Sequence, residues 1–171
     1  ARHVRVAAAV RAGLDPLEPP IRLKTVRAAS PHVLRRTFET AQRRYGIHWT
    51  VLAAINFVES RFGRLLGPSS AGAVGPMQFL PATWARYGMG GNIRDPRDAI
   101  PAAARLLAAN GGRRHIRRAL FAYNQSDAYV DAVLTYASEM KRDPRTYYAY
   151  YFWQVFVVTT KGVKQLTRFE C

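Results

Sequence analysis

The chain is short of cysteine and of long apolar runs. Its single cysteine, Cys171, is the last of 171 residues. An internal disulfide is therefore impossible, and cysteine usage gives no information about the redox compartment. No run approaches the roughly 18 apolar residues of a membrane-spanning helix. The sequence therefore predicts no transmembrane segment.

Acidic residues are also scarce. The chain has 11 Asp and Glu against 26 Lys and Arg, which gives a formal net charge of +15. A surface this basic favours polyanions: nucleic acid, anionic lipid headgroups or an acidic cell-wall polymer. Charge alone does not choose among them, and arginines spread along helices are also typical of a solvated face. Hydrophobic residues make up 49% of the chain, which excludes a disordered tail.

The start of the sequence has neither a methionine nor a signal peptide, because the apolar run from Val6 to Val10 is too short for a signal core. A mature secreted form that has lost its leader is compatible with this start. A fragment of a longer chain is equally compatible.

Three regions are predicted: a proline-containing arm over 1–29, a helical body over 30–143, and an aromatic extension over 144–171. Within the body, caps and prolines predict helix starts at Ser30, Pro81, Asp95 and Ser126. Another helix is predicted over roughly 113–123, and the Ser126 helix is expected to be the last. The aromatic and β-branched run from Tyr147 to Val158 predicts a strand, which pairs with a second strand in a C-terminal β-hairpin. These aromatic side chains could pack on the body or form a platform for sugar rings.

A helix is also predicted from Trp49 to Gly63, and it carries one carboxylate among apolar residues. At about 100° per residue, Glu59 shares a face with apolar side chains; these are Leu52, Ile55, Val58 and Phe62. Loss of water there favours the protonated carboxyl, which suits a general acid near neutral pH. An ion pair with an arginine, or a position at the rim of the stripe, is the structural alternative.

Two further segments carry polar groups of use in a sugar site. The first is a glycine-rich stretch from Ser70 to Thr83, which includes the run Gly75-Pro76-Met77-Gln78. The second is Ala122-Tyr123-Asn124, at the end of a later predicted helix. Gly72 and Gly75 allow positive φ or a close approach of backbone to a sugar.

Together with Glu59-Ser60-Arg61-Phe62-Gly63, these segments resemble, in order and spacing, the lytic transglycosylases of the lysozyme superfamily, of the SLT or MltB-like type. The resemblance covers about residues 40–140. It implies a mainly α (α+β), lysozyme-like helical domain that cleaves peptidoglycan between N-acetylmuramic acid and N-acetylglucosamine. It also implies that Glu59 is the catalytic acid/base.

The resemblance further implies a set of substrate-binding residues: Ser70, Gly75, Met77, Gln78, Tyr123 and Asn124. Most of these have structural alternatives. Ser70 and Asn124 could cap a loop or turn, and Met77 and Tyr123 could be core residues. Gln78 offers both a donor and an acceptor to an acetamido or hydroxyl group.

The scarcity of acids bears on mechanism. Most glycosidases need two carboxylates, whereas no obvious partner for Glu59 stands out in the sequence. The resemblance implies a single-acid reaction: Glu59 protonates the glycosidic oxygen and then deprotonates the C6 hydroxyl. The expected product is a 1,6-anhydromuramic end.

No metal and no cofactor are predicted, because the stretch from Tyr87 to Asp95 lacks the acids of a calcium loop and the histidines are scattered. The expected partners are peptidoglycan strands and anionic wall polymers, with no nucleic acid, and the expected state is a monomer. The expected location is outside the cytoplasm of a bacterium, or in a phage. A lysozyme-like muramidase, a non-catalytic wall-binding module and a basic nucleic-acid binder are the alternatives.

Overall fold

The computed structural model describes residues 24–67, 69, 71–153, 156–159 and 162–165. This part of the chain is mainly helical, as predicted. Its helices are α1 (Pro31–Tyr45), α2 (Trp49–Ser60), α3 (Pro81–Tyr87), α4 (Pro96–Ala109), α5 (Ile116–Tyr123), α6 (Asp127–Arg142) and α7 (Arg145–Tyr151). Two short antiparallel pairs join β1 (Lys24–Thr25) to β2 (Leu65–Leu66) and β3 (Phe156–Thr159) to β4 (Gly162–Gln165).

Local capping explains where α1 begins and ends. The Ser30 hydroxyl accepts a hydrogen bond from the Val33 amide, and Pro31 occupies the first turn, where its missing N–H costs nothing. Gly46 closes the helix in the left-handed conformation, at φ 72°. The predicted helix from Ser30 to Gly46 is confirmed.

The starts of α4 and α6 follow the same rules. The Asp95 carboxylate accepts from the Arg97 amide, and the Ser126 hydroxyl accepts from the Tyr129 amide. Helix α4 continues through Pro101 as one helix. None of the described helices is long and apolar enough to cross a lipid bilayer.

Helix α2 runs through the centre of the described fold. It packs chiefly against α6, and also against α1, α4 and α7. Every residue from Trp49 to Phe57 is buried, so the helix is enclosed on all sides. The prediction of one apolar face therefore underestimates the burial of α2. A helix that is apolar on all sides lies in a protein core.

The predicted end of α2 at Gly63 is wrong. The helix ends at Ser60, and Arg61 and Phe62 take left-handed conformations at φ 53° and 62°. Such backbone is strained for residues with a side chain, and it persists where packing enforces it. The Phe62 ring is buried and contacts the ring of Tyr147 edge to face at 5.4 Å. Core packing of this ring holds the turn that follows the helix.

The predicted strand from Tyr147 is wrong in its first part, because Tyr147 to Tyr151 form α7. Tyr147 and Tyr150 are almost fully buried, and the Tyr147 hydroxyl donates to the Pro31 carbonyl at 2.8 Å. These two rings pack in the core and are not a platform for sugars. Burial against α1 and α2 outweighs the local preference for strand.

Strand pairing is present further along the chain, between β3 and β4. Residues 160 and 161, between β3 and β4, lie outside the described residues, as do Cys171 and most of the predicted N-terminal arm.

Candidate active site

Glu59 lies in the last turn of α2, where the buried helix reaches solvent. It and Val58 are the two residues of α2 that keep partial exposure. Burial raises the pKa of the Glu59 carboxyl from 4.5 to about 7. The C-terminal end of the helix acts in the same direction, because its unpaired carbonyls disfavour an anion. Near neutral pH this carboxyl can therefore both donate and accept a proton.

The other described carboxylates are engaged elsewhere, each with an arginine or a backbone amide. The pairs are Glu39 with Arg35, Asp95 with Arg97, Asp127 and Asp131 with Arg117, Glu139 with Arg142, Asp143 with Arg145, and Asp98 with the Asn92 amide. Within the described residues, Glu59 has no ion pair. The predicted structural alternative, a carboxylate locked to an arginine, is not seen there. No second carboxylate stands beside Glu59 in this part of the chain.

Two tyrosines face Glu59. Tyr123 ends α5 and Tyr129 lies in the first turn of α6, and their rings are parallel within 5° at a centroid distance of 6.4 Å. The Tyr123 hydroxyl donates to the Met77 carbonyl at 2.6 Å. Burial first, and then the Glu59 charge, raises the pKa of both phenols well above the ordinary value. Both phenols therefore keep their protons near neutral pH.

The Tyr129 hydroxyl is a neighbour of the Glu59 carboxyl. It lowers the pKa of the carboxyl as a hydrogen-bond donor does, in opposition to burial. Yet this buried hydroxyl makes no hydrogen bond of standard geometry with any group in the described part of the chain. Burial therefore outweighs the contact with Tyr129 in setting the pKa of Glu59.

A buried polar cluster ties the glycine-rich segment to α2. The Asn56 side-chain amide and the Ser60 hydroxyl both donate to the Pro76 carbonyl, each at 2.7 Å. Ser60 also accepts from the Gly63 amide at 2.8 Å. This cluster therefore fixes the segment from Gly75 to Gln78 against the last turns of α2, the part of the helix that carries Glu59.

The glycines of this segment adopt positive φ, one of the two roles considered from the sequence. Gly72 and Gly75 have φ values of 80° and 82°. A Cβ on Gly75 would lie 2.0 Å from the Ile93 carbonyl oxygen. The close approach at Gly75 is therefore to the protein's own backbone, and the residue shapes the loop.

Gln78 is partly exposed and also has positive φ, at 47°. Its side-chain amide donates to the Gly75 carbonyl at 3.0 Å, which leaves the Oε1 acceptor for another partner. A non-glycine residue in this conformation marks a position where backbone strain accompanies a polar side chain, a combination frequent at functional sites.

The remaining predicted site residues fall in different places. Met77 is fully buried, so its side chain takes the core-packing alternative while its carbonyl receives Tyr123. Asn124 is exposed, and its side-chain amide bonds no other described group. Ser70 lies outside the described residues. The structure thus places Tyr123 near Glu59. Gly75, Met77 and Gln78 lie in one loop, which the Tyr123 hydroxyl contacts at the Met77 carbonyl.

Sequence reasoning missed Tyr129, Asn56 and Ser60 as site residues. Tyr129 lies in the helix predicted to start at Ser126, and no role in the site was predicted for it. The sequence signal for Tyr129 was its position shortly after the Ala122-Tyr123-Asn124 motif, near the start of the next helix. Asn56 offered a stronger signal, since an amide in the middle of an otherwise apolar helix needs hydrogen-bond partners when buried.

Metal ligands do not converge in the described part of the chain: no group of three or more His, Cys, Asp or Glu side chains could hold an ion there. The absence of a metal and of a cofactor stays a prediction. The chemistry available at Glu59 is proton transfer.

Comparison with known proteins gives two similarities. The family described as Transglycosylase SLT domain matches residues 36–145. Membrane-bound lytic murein transglycosylase F of Thiobacillus denitrificans (strain ATCC 25259 / T1) is 32% identical in an alignment over 124 residues that covers 67% of this chain. The alignment spans 26% of that relative's length. No solved structure matches the chain.

Proposed function

Because the chain belongs to the family of the transglycosylase SLT domain, we propose that it is a peptidoglycan lytic transglycosylase with a lysozyme-like catalytic domain. The reaction breaks the β-1,4 bond between N-acetylmuramic acid and N-acetylglucosamine without water. The matched residues include Glu59, the loop from Gly75 to Gln78, and Tyr123. We assign substrate-binding roles to Ser70, Gln78, Tyr123 and Asn124, and we assign to Gly75 and Met77 the indirect role of shaping and anchoring the loop that carries Gln78.

The observation that carries this proposal is the state of Glu59. It is a carboxyl whose pKa is raised to about 7 by burial, with neither a cation nor a second carboxylate beside it among the described residues. Hydrolysis by two carboxylates needs a second carboxyl group some 5–10 Å from the first. A reaction that uses one group twice needs only Glu59.

Glu59 alone accounts for both proton transfers of the proposed reaction. Protonated Glu59 gives its proton to the glycosidic oxygen as that bond breaks, and an oxocarbenium-like centre forms at C1 of the muramic residue. The carboxylate then takes the proton of the C6 hydroxyl as its oxygen bonds to C1. Glu59 ends protonated, and the products are an N-acetylglucosamine end and a 1,6-anhydromuramic end.

The basic surface suits this substrate. Peptidoglycan stem peptides and attached wall polymers are anionic, so a protein with a net charge of +15 is attracted to them. We propose that it acts on the wall outside the cytoplasm, as a monomer, with the helical body over 30–143 as the catalytic domain. The arm over 1–29 flanks it, whereas the first part of the extension over 144–171 is α7, which packs in the core of the body.

Mass analysis of digested sacculi tests the proposal. The expected products carry 1,6-anhydromuramic ends, whereas a muramidase would release reducing ends heavier by one water. Detection of reducing ends alone would replace the proposal with hydrolysis.

A charge-matched pair of variants separates catalysis from wall binding. Glu59→Gln removes the acid, and Glu39→Gln removes a carboxylate that pairs with Arg35 on the outer face of α1. We expect the first variant to bind sacculi without cutting them and the second to cut normally. Equal digestion by both variants would show that Glu59 is not the acid.

A further inference from the structure

Two kinds of exposed arginine can be told apart in the described part of the chain. Some pair with a carboxylate of the protein itself, as Arg97 does with Asp95 and Arg145 does with Asp143. Others make no ion pair with any described residue, and several of these lie on two segments that meet. We call this second group the basic corner, and its members are Arg43, Arg44, Arg113, Arg114 and Arg118.

The two segments of the basic corner are the end of α1 and the loop between α4 and α5. The Arg113 Nε donates to the Tyr45 carbonyl at 2.8 Å. A Cβ on Gly46 would lie 3.2 Å from that nitrogen, so the glycine leaves room for the arginine side chain across the end of α1. Gly112 is buried, and a Cβ there would lie 3.0 Å from the Ile47 side chain. These contacts fix the last turn of α1 beside the residues that lead into α5.

No carboxylate lies in either of these segments. Residues 40–58 and 99–126 contain neither Asp nor Glu. The acids next along the chain are engaged, because Glu39 pairs with Arg35 and Asp127 with Arg117. Clustered charges of one sign repel one another, so the folded chain gains nothing from this arrangement.

Helix dipoles explain only part of the basic corner. Arg43 and Arg44 lie in the last turn of α1, where the dipole favours a cation. Arg118 lies in the first turn of α5 and Arg114 just before it, where the dipole disfavours a cation. The stability of α5 therefore does not account for Arg114 and Arg118. An anion outside the described chain supplies the counter-charge that this surface lacks.

The basic corner and Glu59 lie at opposite ends of α2. At about 1.5 Å per residue, the helix axis from Trp49 to Glu59 is about 15 Å long. Helix α5 runs the same way, since it begins at the basic corner and its last residue, Tyr123, lies near Glu59. An anion held at the basic corner therefore leaves the candidate active site open.

We propose that the basic corner is a docking surface for the stem peptides of peptidoglycan, whose carboxylates it binds through guanidinium groups. The proposal rests on the proposed function, which brings a glycan strand to Glu59. The planar fork of a guanidinium matches the two oxygens of a carboxylate. Stem peptides are attached to the substrate itself, so their local concentration is high whenever a strand occupies the site. The contact raises the affinity for peptide-bearing strands and touches none of the reacting atoms.

The double variant Arg114→Gln/Arg118→Gln tests this surface, and thermal unfolding checks that it folds. Binding is measured in the Glu59→Gln background, so that strands stay uncut. The two probes are glycan strands that carry stem peptides and the same strands freed of them by an amidase. We expect binding to the peptide-bearing strands to weaken about fivefold at low salt. Binding to the bare strands should not change.

The matched control is Arg97→Gln/Arg145→Gln in the same background. It removes the same amount of positive charge, but from exposed arginines that pair with Asp95 and Asp143. We expect it to bind peptide-bearing strands as the parent does. An equal loss in both double variants would overturn the proposal, because overall charge would then attract the strand.

Kinetics give a second readout in the protein that keeps Glu59. For peptide-bearing strands, Arg114→Gln/Arg118→Gln should raise KM by the same factor as it weakens binding, at an unchanged kcat. A fall in kcat at an unchanged KM would contradict a docking role.

Unchanged binding of Arg114→Gln/Arg118→Gln to peptide-bearing strands would overturn the proposal, and so would an equal loss on bare strands. A loss confined to polyphosphate or duplex DNA would assign the basic corner to phosphates instead. The binding assay does not depend on cleavage. A protein that shows the expected loss of binding but releases only reducing ends would therefore support the basic corner and count against the proposed reaction.

Discussion

Glu59 is expected to cost the folded protein stability at neutral and alkaline pH. In the unfolded chain its carboxyl ionises with a pKa near the ordinary value of 4.5, whereas burial raises the folded pKa to about 7. Between these pH values the unfolded state releases its proton first, so unfolding becomes more favourable as pH rises. The loss of folding stability is complete above about pH 7 and absent below pH 4.5.

The size of the effect follows from the interval between the two pKa values. Each pH unit corresponds to about 1.4 kcal/mol, so the interval from 4.5 to about 7 sets an upper limit of about 3 kcal/mol. Glu59 is partly exposed, and water around it reduces the penalty. We therefore expect Glu59→Gln, which does not ionise, to be about 2 kcal/mol more stable than the wild type at alkaline pH.

Urea unfolding of both proteins across the range from pH 4 to pH 9 measures this difference. The gain of Glu59→Gln over the wild type should be small at the acidic end, grow between 4.5 and 7, and level off beyond. Glu39→Gln reports what the loss of one negative charge does in a protein of net charge +15. A gain for Glu59→Gln that is the same at every pH would refute the claim that burial raises the pKa of this carboxyl.

Three further predictions concern the loop and the surface. Ser60→Ala removes the hydroxyl that donates to the Pro76 carbonyl and leaves the partly buried Gly63 amide without its partner, so we expect a loss of about 1–3 kcal/mol in unfolding free energy and a lower kcat. Gly75→Ala forces a Cβ against the Ile93 carbonyl and should cost about 3 kcal/mol or more, whereas Gly72→Ala, with open space around its Cβ, should cost about 1 kcal/mol for its backbone conformation alone; thermal unfolding compares them. Binding to sacculi should weaken steeply as salt is raised in a sedimentation assay, and salt-independent binding would exclude electrostatic attraction as its cause.

Local chemistry made parts of the fold predictable. Helix α1 begins and ends at Ser30 and Gly46, and α6 begins at Ser126, because caps act within one turn. The segment from Tyr147 to Tyr151 was mispredicted because its aromatic residues favour a strand locally. Only its distant partners in α1 and α2 make a buried helix the better arrangement.

The candidate site also has parts that the sequence predicts and parts that it does not. Desolvation of Glu59 followed from its apolar neighbours in the sequence, and the structure bears this out through the raised pKa. The contact with Tyr129 did not follow, because it joins residues 70 positions apart through the packing of α6 on α2. Nor did the strained turn at Phe62, since nothing in the local sequence requires left-handed backbone there.

In the proposed reaction, Glu59 accepts the proton of the C6 hydroxyl, and no water molecule is consumed. Digestion of sacculi in water enriched in heavy oxygen tests it most directly, because hydrolysis adds one solvent oxygen to the muramic end at each cleaved bond. We predict newly formed muramic ends that contain no heavy oxygen. One heavy oxygen per cleaved bond would contradict the account.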